Sequence, residues 1–180
     1  MWTLVFIQAN FKAMRKNLLK KFTSKIFNDH DHNVCFRNSM KAFQKHCFER
    51  NLRMTPLRSK VFEFLLKDHQ PLGAYQILDM LRTAGFSSTP PIAYRVLDFL
   101  IAQGFVHKIK GLNAFVACAH PGVNHTPAFM ICRKCEKVAE LDEKETGINL
   151  KKAEPIDFKI EEAVIEVMGL CTYCVSADKS

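Results

Sequence analysis

Residues 88–118, STPPIAYRVLDFLIAQGFVHKIKGLNAFVAC, decide the fold class. Ser88-Thr89 before Pro90-Pro91 is a helix start: a hydroxyl side chain can cap the first free amides, and proline gives up an N–H that has no helical partner there. Val96, Leu97, Leu100 and Ile101 then form one apolar stripe, and Gly104 is a natural stop. Phe105–Ile109 and Ala114–Cys118 are short β-type runs joined by Lys110-Gly111-Leu112-Asn113, a hairpin signature.

Working upstream, the same logic gives three more helices. Met40, Phe43, Cys47 and Phe48 fall at helical spacing, which makes Cys47 a small core residue. Thr55-Pro56 caps a second helix with Leu57, Val61, Phe64 and Leu65 on one side. A third runs from Ala74 to Thr83 with Ile77, Leu78 and Leu81 inward, and Gly85 ends it. Helices followed by a hairpin are the order of a winged helix-turn-helix, in which the last helix enters the major groove. The predicted fold is α+β, with this winged-helix DNA-binding domain over residues 35–118.

Downstream, residues 119–127 are rich in Pro, Gly, Asn and His and read as a hinge. Residues 128–180 form a small α/β unit: strands over Ala128–Cys132 and Lys137–Leu141, a charged helix over Asp142–Ala153, and a strand over Phe158–Val167. So small a unit needs a metal or a partner chain to complete its core.

Four of the seven cysteines offer ligands for such a metal. Cys132/Cys135 and Cys171/Cys174 are two C-x-x-C pairs, each placed on a turn after a strand. Two such pairs can bring four thiolates into a tetrahedron around Zn²⁺, which is borderline-soft and has no geometry of its own to impose. A redox reading of one pair leaves the other unexplained. The odd cysteine count argues against a disulfide framework and for a reducing cytoplasm. Cys35 has no partner at ligand spacing.

The 180 residues are 48% hydrophobic and 24% charged, which excludes a disordered chain, and no run approaches the roughly 20 apolar residues of a membrane-spanning helix. The net charge of +8 is uneven: residues 1–60 carry +10, 61–120 carry +1 and 121–180 carry −3. A basic front half suits a polyanion partner. Residues 1–34 form an extension in which Phe11, Leu18, Phe22 and Ile26 lie at helical spacing among Lys and Arg, and Met14 and Met40 are alternative starts.

His107, Cys118, His125 and Glu140 form a looser set, for which spacing alone leaves a second metal site open. A lone histidine is usually a surface or satisfied residue and a lone cysteine a core residue.

Cys47-Phe-Glu-Arg-Asn-Leu-Arg-Met-Thr-Pro-Leu-Arg58, Gly73-Ala-Tyr-Gln-Ile-Leu-Asp79, Pro90-Pro-Ile-Ala-Tyr-Arg95 and Gly104-Phe-Val-His-Lys108, followed by the two C-x-x-C pairs, resemble the ferric uptake regulator (Fur) family, and within it the zinc uptake regulator branch. The resemblance spans residues 47–174 and leaves out residues 1–34. It implies a homodimeric, zinc-dependent transcriptional repressor of zinc uptake genes that binds a double-stranded operator and holds two zinc ions per chain, one structural and one regulatory. It carries the regulatory ligands onto His107, Cys118, His125 and Glu140. The hinge before His125 is one residue shorter than the branch pattern, which leaves His120 as an alternative ligand.

Iron-type members have a His-His-Asp-His cluster before the first C-x-x-C, whereas this chain has His125-Thr-Pro-Ala-Phe-Met-Ile131 there. A thiolate at Cys118 favours zinc over the iron- or peroxide-responsive alternatives. A zinc-ribbon thiol redox enzyme is the rival from another class, but no catalytic motif supports it. DNA contact falls to Tyr94 and Arg95 in the fourth helix, with Tyr75 matching a further family contact; packing under the helix is the plainer role for both tyrosines. Arg50, Arg53, Arg58 and Lys60 would attract phosphates. Asp79 and Arg82, three apart on the third helix, make either an intrahelical pair or, as the resemblance implies, a salt bridge between two dimers on one operator.

Overall fold

The computed structural model describes residues 32–67, 70–122, 125–141, 146, 157, 160 and 163–177. The chain divides into two units, Met1–His30 and Asp31–Ser180, and all the described residues belong to the second. The helix expected around Phe11–Ile26 lies outside them.

Four helices lead the unit: α1 (His32–Glu49), α2 (Pro56–Lys67), α3 (Ala74–Thr83) and α4 (Pro90–Ala102). The cap expected at Thr55 forms, its hydroxyl accepting from Arg58 N at 3.2 Å. Gly73 caps α3 instead of a hydroxyl residue, and the Gln76 side chain reaches back to accept from Gly73 N at 2.7 Å. Gly85 and Gly104 end α3 and α4 at φ +81° and +73°. There, Phe86 and Phe105 donate back to Leu81 and Leu100 in the six-to-one closure that a left-handed residue permits.

α1 begins eight residues ahead of Met40, where its stripe becomes legible. On α4 the buried residues are Ala93, Val96, Leu97 and Leu100; Ile101 is only partly covered.

A short β1 (Leu72–Gly73), β2 (Val106–Ile109) and β3 (Ala114–Ala117) make an antiparallel sheet in the order β1-β3-β2. β2 and β3 are the wing, with Asn113 at φ +48° in its turn. Phe43, Phe62 and Phe105 meet edge-to-face at centroid separations of 5.0–5.5 Å and seal α1, α2 and the wing together. Each ring is fully buried and contributes roughly 1.5–3 kcal/mol relative to exposure.

The second sheet has the order β5-β4-β6, from β4 (Ala128–Cys132), β5 (Val138–Leu141) and β6 (Ile165–Gly169), followed by α5 (Thr172–Ala177). β5 runs antiparallel to β4, and β6 parallel to it. The last strand was expected over Phe158–Val167; it occupies Ile165–Gly169 because its backbone partners are Ala128–Cys132, and Ala163 and Val164 are not strand. The helix expected over Asp142–Ala153 lies outside the described residues except for Thr146. Ile109 and Val116 of the wing pack with Phe129 and Ile131 of β4, so an apolar cluster joins the wing to the second sheet. Among the described residues no helix is long and apolar enough to cross a membrane.

Candidate metal centres and nucleic-acid face

The four paired cysteines converge at the end of the second sheet. β4 delivers Cys132, and the chain turns through Arg133–Glu136 into β5. Glu136 N donates to Cys132 O at 2.8 Å, and Glu136 itself sits at φ +56°. Cys171 follows β6 and Cys174 lies in α5. Their Sγ atoms all lie within 4.8 Å of one another. Burial raises the Cys132 thiol, but backbone N–H groups of Cys135, Cys171 and Lys134 aimed at its sulfur outweigh that and bring it down to about 6. Burial and the neighbouring sulfurs push Cys174 up to about 12. Four thiolates so close repel one another, and a divalent cation relieves the repulsion.

His107, Cys118, His125 and Glu140 also converge, and their donor atoms lie within 4.8 Å of one another. They come from four segments: β2, the end of β3, the hinge and β5. Ladder register does the positioning. Val106 pairs with Ala117, and Cys118 N continues the ladder to Phe105 O at 2.9 Å, so Cys118 emerges at the base of the wing beside His107. On the other sheet Phe129 pairs with Glu140, and the His107 ring meets Phe129 edge-on at 5.5 Å.

Glu140 organises the cluster. Its Oε1 lies 2.8 Å from His125 Nε2 and 3.3 Å from His107 Nε2, and its Oε2 accepts from Ala119 N at 2.8 Å. Burial raises the Glu140 carboxyl, but His107, the Ala119 amide and His125 hold it down at about 2, so it is an anion. Cys118 Sγ stands 3.8 Å from His125 Nε2 and 3.9 Å from Glu140 Oε1. Burial, reinforced by the Glu140 charge, pushes its thiol up to about 12. His107 Nε2 is buried, and the Glu140 carboxylate at 3.3 Å faces it without the geometry of a full hydrogen bond. A buried imidazole nitrogen whose geometry toward the carboxylate is poor, a second imidazole, a thiol and an anionic carboxylate make a ligand set that fits a borderline cation. His120 gives the cluster only its backbone, its N donating to Cys118 Sγ at 3.3 Å; its ring stays exposed with its centroid 6.2 Å from that of His125.

On α3 and α4, Tyr75, Tyr94 and Arg95 are exposed, Tyr75 at 69% and Tyr94 at 39%, so neither tyrosine packs under its helix. Arg50 and Arg53 are also exposed, whereas Arg58 lies 3.4 Å over the Phe99 ring and bonds Arg53 O, and Lys60 pairs with Glu63 at 2.9 Å. Packing thus holds two of the four basic side chains that the sequence suggested for phosphate. Asp79 and Arg82 pair with each other at 3.0 Å on the exposed face of α3. Sequence reasoning missed Glu166, whose carboxylate accepts from the wing-turn amides; no motif or spacing marks it.

Residues 49–168 match the ferric uptake regulator family. The chain belongs to that family. It is 39% identical over 137 residues to the zinc uptake regulation protein of Escherichia coli (strain K12), a match spanning 75% of this chain and 80% of the relative. A solved zinc uptake regulator in complex with zinc and DNA superposes with a TM-score of 0.73 at 36% identity, covering 81% of this chain and 98% of the other. The crystal structure of holo XcZur gives 0.67 at 38% identity, covering 76% and 96%. This Fur-family chain therefore has the α+β fold its sequence predicted, and it is a transcription regulator, not an enzyme.

Proposed function

We propose that this Fur-family chain is a zinc-responsive, sequence-specific repressor of zinc uptake genes, acting in the cytoplasm as a homodimer with two zinc ions per chain. Cys132, Cys135, Cys171 and Cys174 hold the structural ion; His107, Cys118, His125 and Glu140 hold the regulatory one. The observation that carries the reading is the second cluster, which gathers two wing residues, one hinge residue and one residue of the second sheet around a single point.

Bound there, zinc would neutralise Glu140 and the Cys118 thiolate and cross-link the three segments. The chain's own part is to set the wing against the second sheet, and with it the angle of α4. In a two-fold dimer both copies of α4 could then meet half-sites about one helical turn, roughly 34 Å, apart. The metal shifts the population by favouring the converged arrangement over the open one.

Two features support the homodimer. Among the described residues β6 pairs only with β4, which leaves its other edge open. Met130 and Val167, partners on one face of that sheet, are exposed apolar residues at 38% and 53%. Tyr75, Tyr94 and Arg95 are the operator contacts. Asp79 and Arg82, already close and exposed, exchange partners across a two-fold axis when two dimers share one operator.

The experiment is metal analysis of the purified chain followed by zinc-titrated binding to an operator selected from a random duplex pool. Two zinc per chain, with DNA affinity that follows the second, is the expected result. Tight binding that answers to Fe²⁺ instead would transfer the chain to the iron-responsive reading.

A further inference from the structure

The wing is tied to the second sheet at its tip as well as at its base. Glu166 of β6 accepts from Lys110 N at 2.6 Å and from Gly111 N at 2.8 Å, one carboxylate oxygen to each amide of the hairpin turn. The parallel register explains the reach: Glu166 pairs with Phe129 and Met168 with Ile131, so these side chains share one face. Phe129 and Ile131 on that face are buried against Ile109 and Val116 of the wing. Glu166 thus stands at the rim of the apolar wing–sheet contact.

Gly111 belongs to the same arrangement. A Cβ there would stand 3.0 Å from Glu166 Oε2, and no other atom would come nearer than 4.0 Å. Its backbone is not in the left-handed region, so a side chain there is opposed by the close carboxylate, which would have to give way by a few tenths of an ångström, and not by backbone strain.

We infer that Glu166 is a positioning residue for the regulatory metal site: by clasping the wing tip it favours the wing orientation in which His107 and Cys118 meet His125 and Glu140. This rests on the zinc-responsive reading above. Lys110 follows the end of β2, three residues beyond His107, so the two ties are roughly 10 Å apart along the hairpin. The apolar wing–sheet contact between them is non-directional, so the polar ties at base and tip are what set the hairpin's rotation on the sheet. A bidentate carboxylate on two amides is a charge-assisted contact made only when the wing lies down. By linkage, a contact confined to the converged arrangement tightens zinc binding to that arrangement.

The test measures zinc affinity of the second site by chelator competition, without DNA, in the full chain with its four-cysteine site filled. The variants are Glu166→Gln, Gly111→Ala and their combination. Glutamine keeps the size but offers one acceptor oxygen and turns an NH₂ group toward an amide; alanine obstructs the carboxylate without touching it chemically. Each is expected to weaken zinc binding about three- to tenfold and the double variant no further, because one contact is lost in all three. The Gly111 amide should exchange faster with solvent in each, while thermal stability and the first zinc are retained. Unchanged zinc affinity in both single variants, or losses that simply add, would overturn the inference. A wild-type chain whose DNA binding ignores zinc would count against the regulatory reading instead, with the clasp still decided by the zinc affinities.

Discussion

Nε2 of His125 lies 2.8 Å from Oε1 of Glu140, a contact that ties the hinge to the second sheet and joins His107 and the Ala119 amide in keeping the carboxylate ionised. Glutamine at position 140 keeps the shape and the acceptor oxygen but removes the charge. Glu140→Gln should therefore lower zinc affinity at the second site by at least about tenfold while the four-cysteine site stays filled. Chelator competition combined with zinc counting reads both quantities; equal affinity in the variant would remove Glu140 from the ligand set.

Cys118 gives a pH dependence of definite sign. Its thiol is raised to about 12, so it is protonated at neutral pH, and only the thiolate ligates a metal. Filling the second site at pH 8 should release about one more proton per chain from wild type than from Cys118→Ser. Zinc affinity should accordingly climb with pH more steeply in wild type, by about tenfold per unit. Proton counts from an indicator dye in weak buffer decide the matter, and identical counts in the two proteins would mean Cys118 is not a ligand.

The fold was legible where helix-start signals and periodicity coincide, although Thr89, at the N-cap of α4, makes no side-chain cap hydrogen bond and the start there rests on the prolines. Thr55-Pro56 and Thr89-Pro90 announce α2 and α4 in the sequence, and the glycines at 85 and 104 mark the ends of α3 and α4. The start of α1 at His32 was not legible, because residues 32–39 carry no cap-and-stripe signal. β6 was misjudged since strand pairing, not alternation, defines it: the ladder to β4 runs from Ile165 to Gly169 and delivers Cys171 beside Cys132. The four-cysteine site follows from spacing alone. The second cluster does not, because its members meet only through two sheet registers and the packing of wing on sheet, none of which a linear pattern encodes. The resemblance to the Fur family supplied those four residues, and the geometry now gives a reason for each.

Loss of one structural ligand should be severe. If the four cysteines hold zinc as proposed, the site should supply about 10–16 kcal/mol of folding free energy, as structural zinc does in zinc-finger peptides. Cys135→Ser should yield a chain that lacks the first zinc, loses dimerisation and shows no cooperative thermal transition in its second half. A dimer of unchanged zinc content by sedimentation and metal analysis would contradict this.

Arg95, proposed as an operator contact, is exposed in the first half of α4. Arg95→Ala should cost about 1–3 kcal/mol on the selected operator and much less on random duplex. Equal losses on both would make Arg95 a phosphate contact.

Asp79 and Arg82 separate two scales of assembly. An exposed pair within one helix is worth only a few tenths of a kcal/mol, so Asp79→Ala should leave stability nearly unchanged. Binding of a second dimer beside the first should nonetheless lose steepness, because the two-fold contact repeats the pair at high effective concentration. Recovery of cooperativity in the charge-swapped Asp79→Arg/Arg82→Asp protein would identify the contact as intermolecular.

The central claim is that the cluster of His107, Cys118, His125 and Glu140 makes DNA binding answer to zinc. Operator binding titrated with buffered free zinc, wild type against Cys118→Ser with both four-cysteine sites filled, tests it most directly. Affinity should rise with zinc for wild type and not for Cys118→Ser, which should still fold and dimerise. A Cys118→Ser protein that binds the operator with the wild-type zinc profile would contradict it.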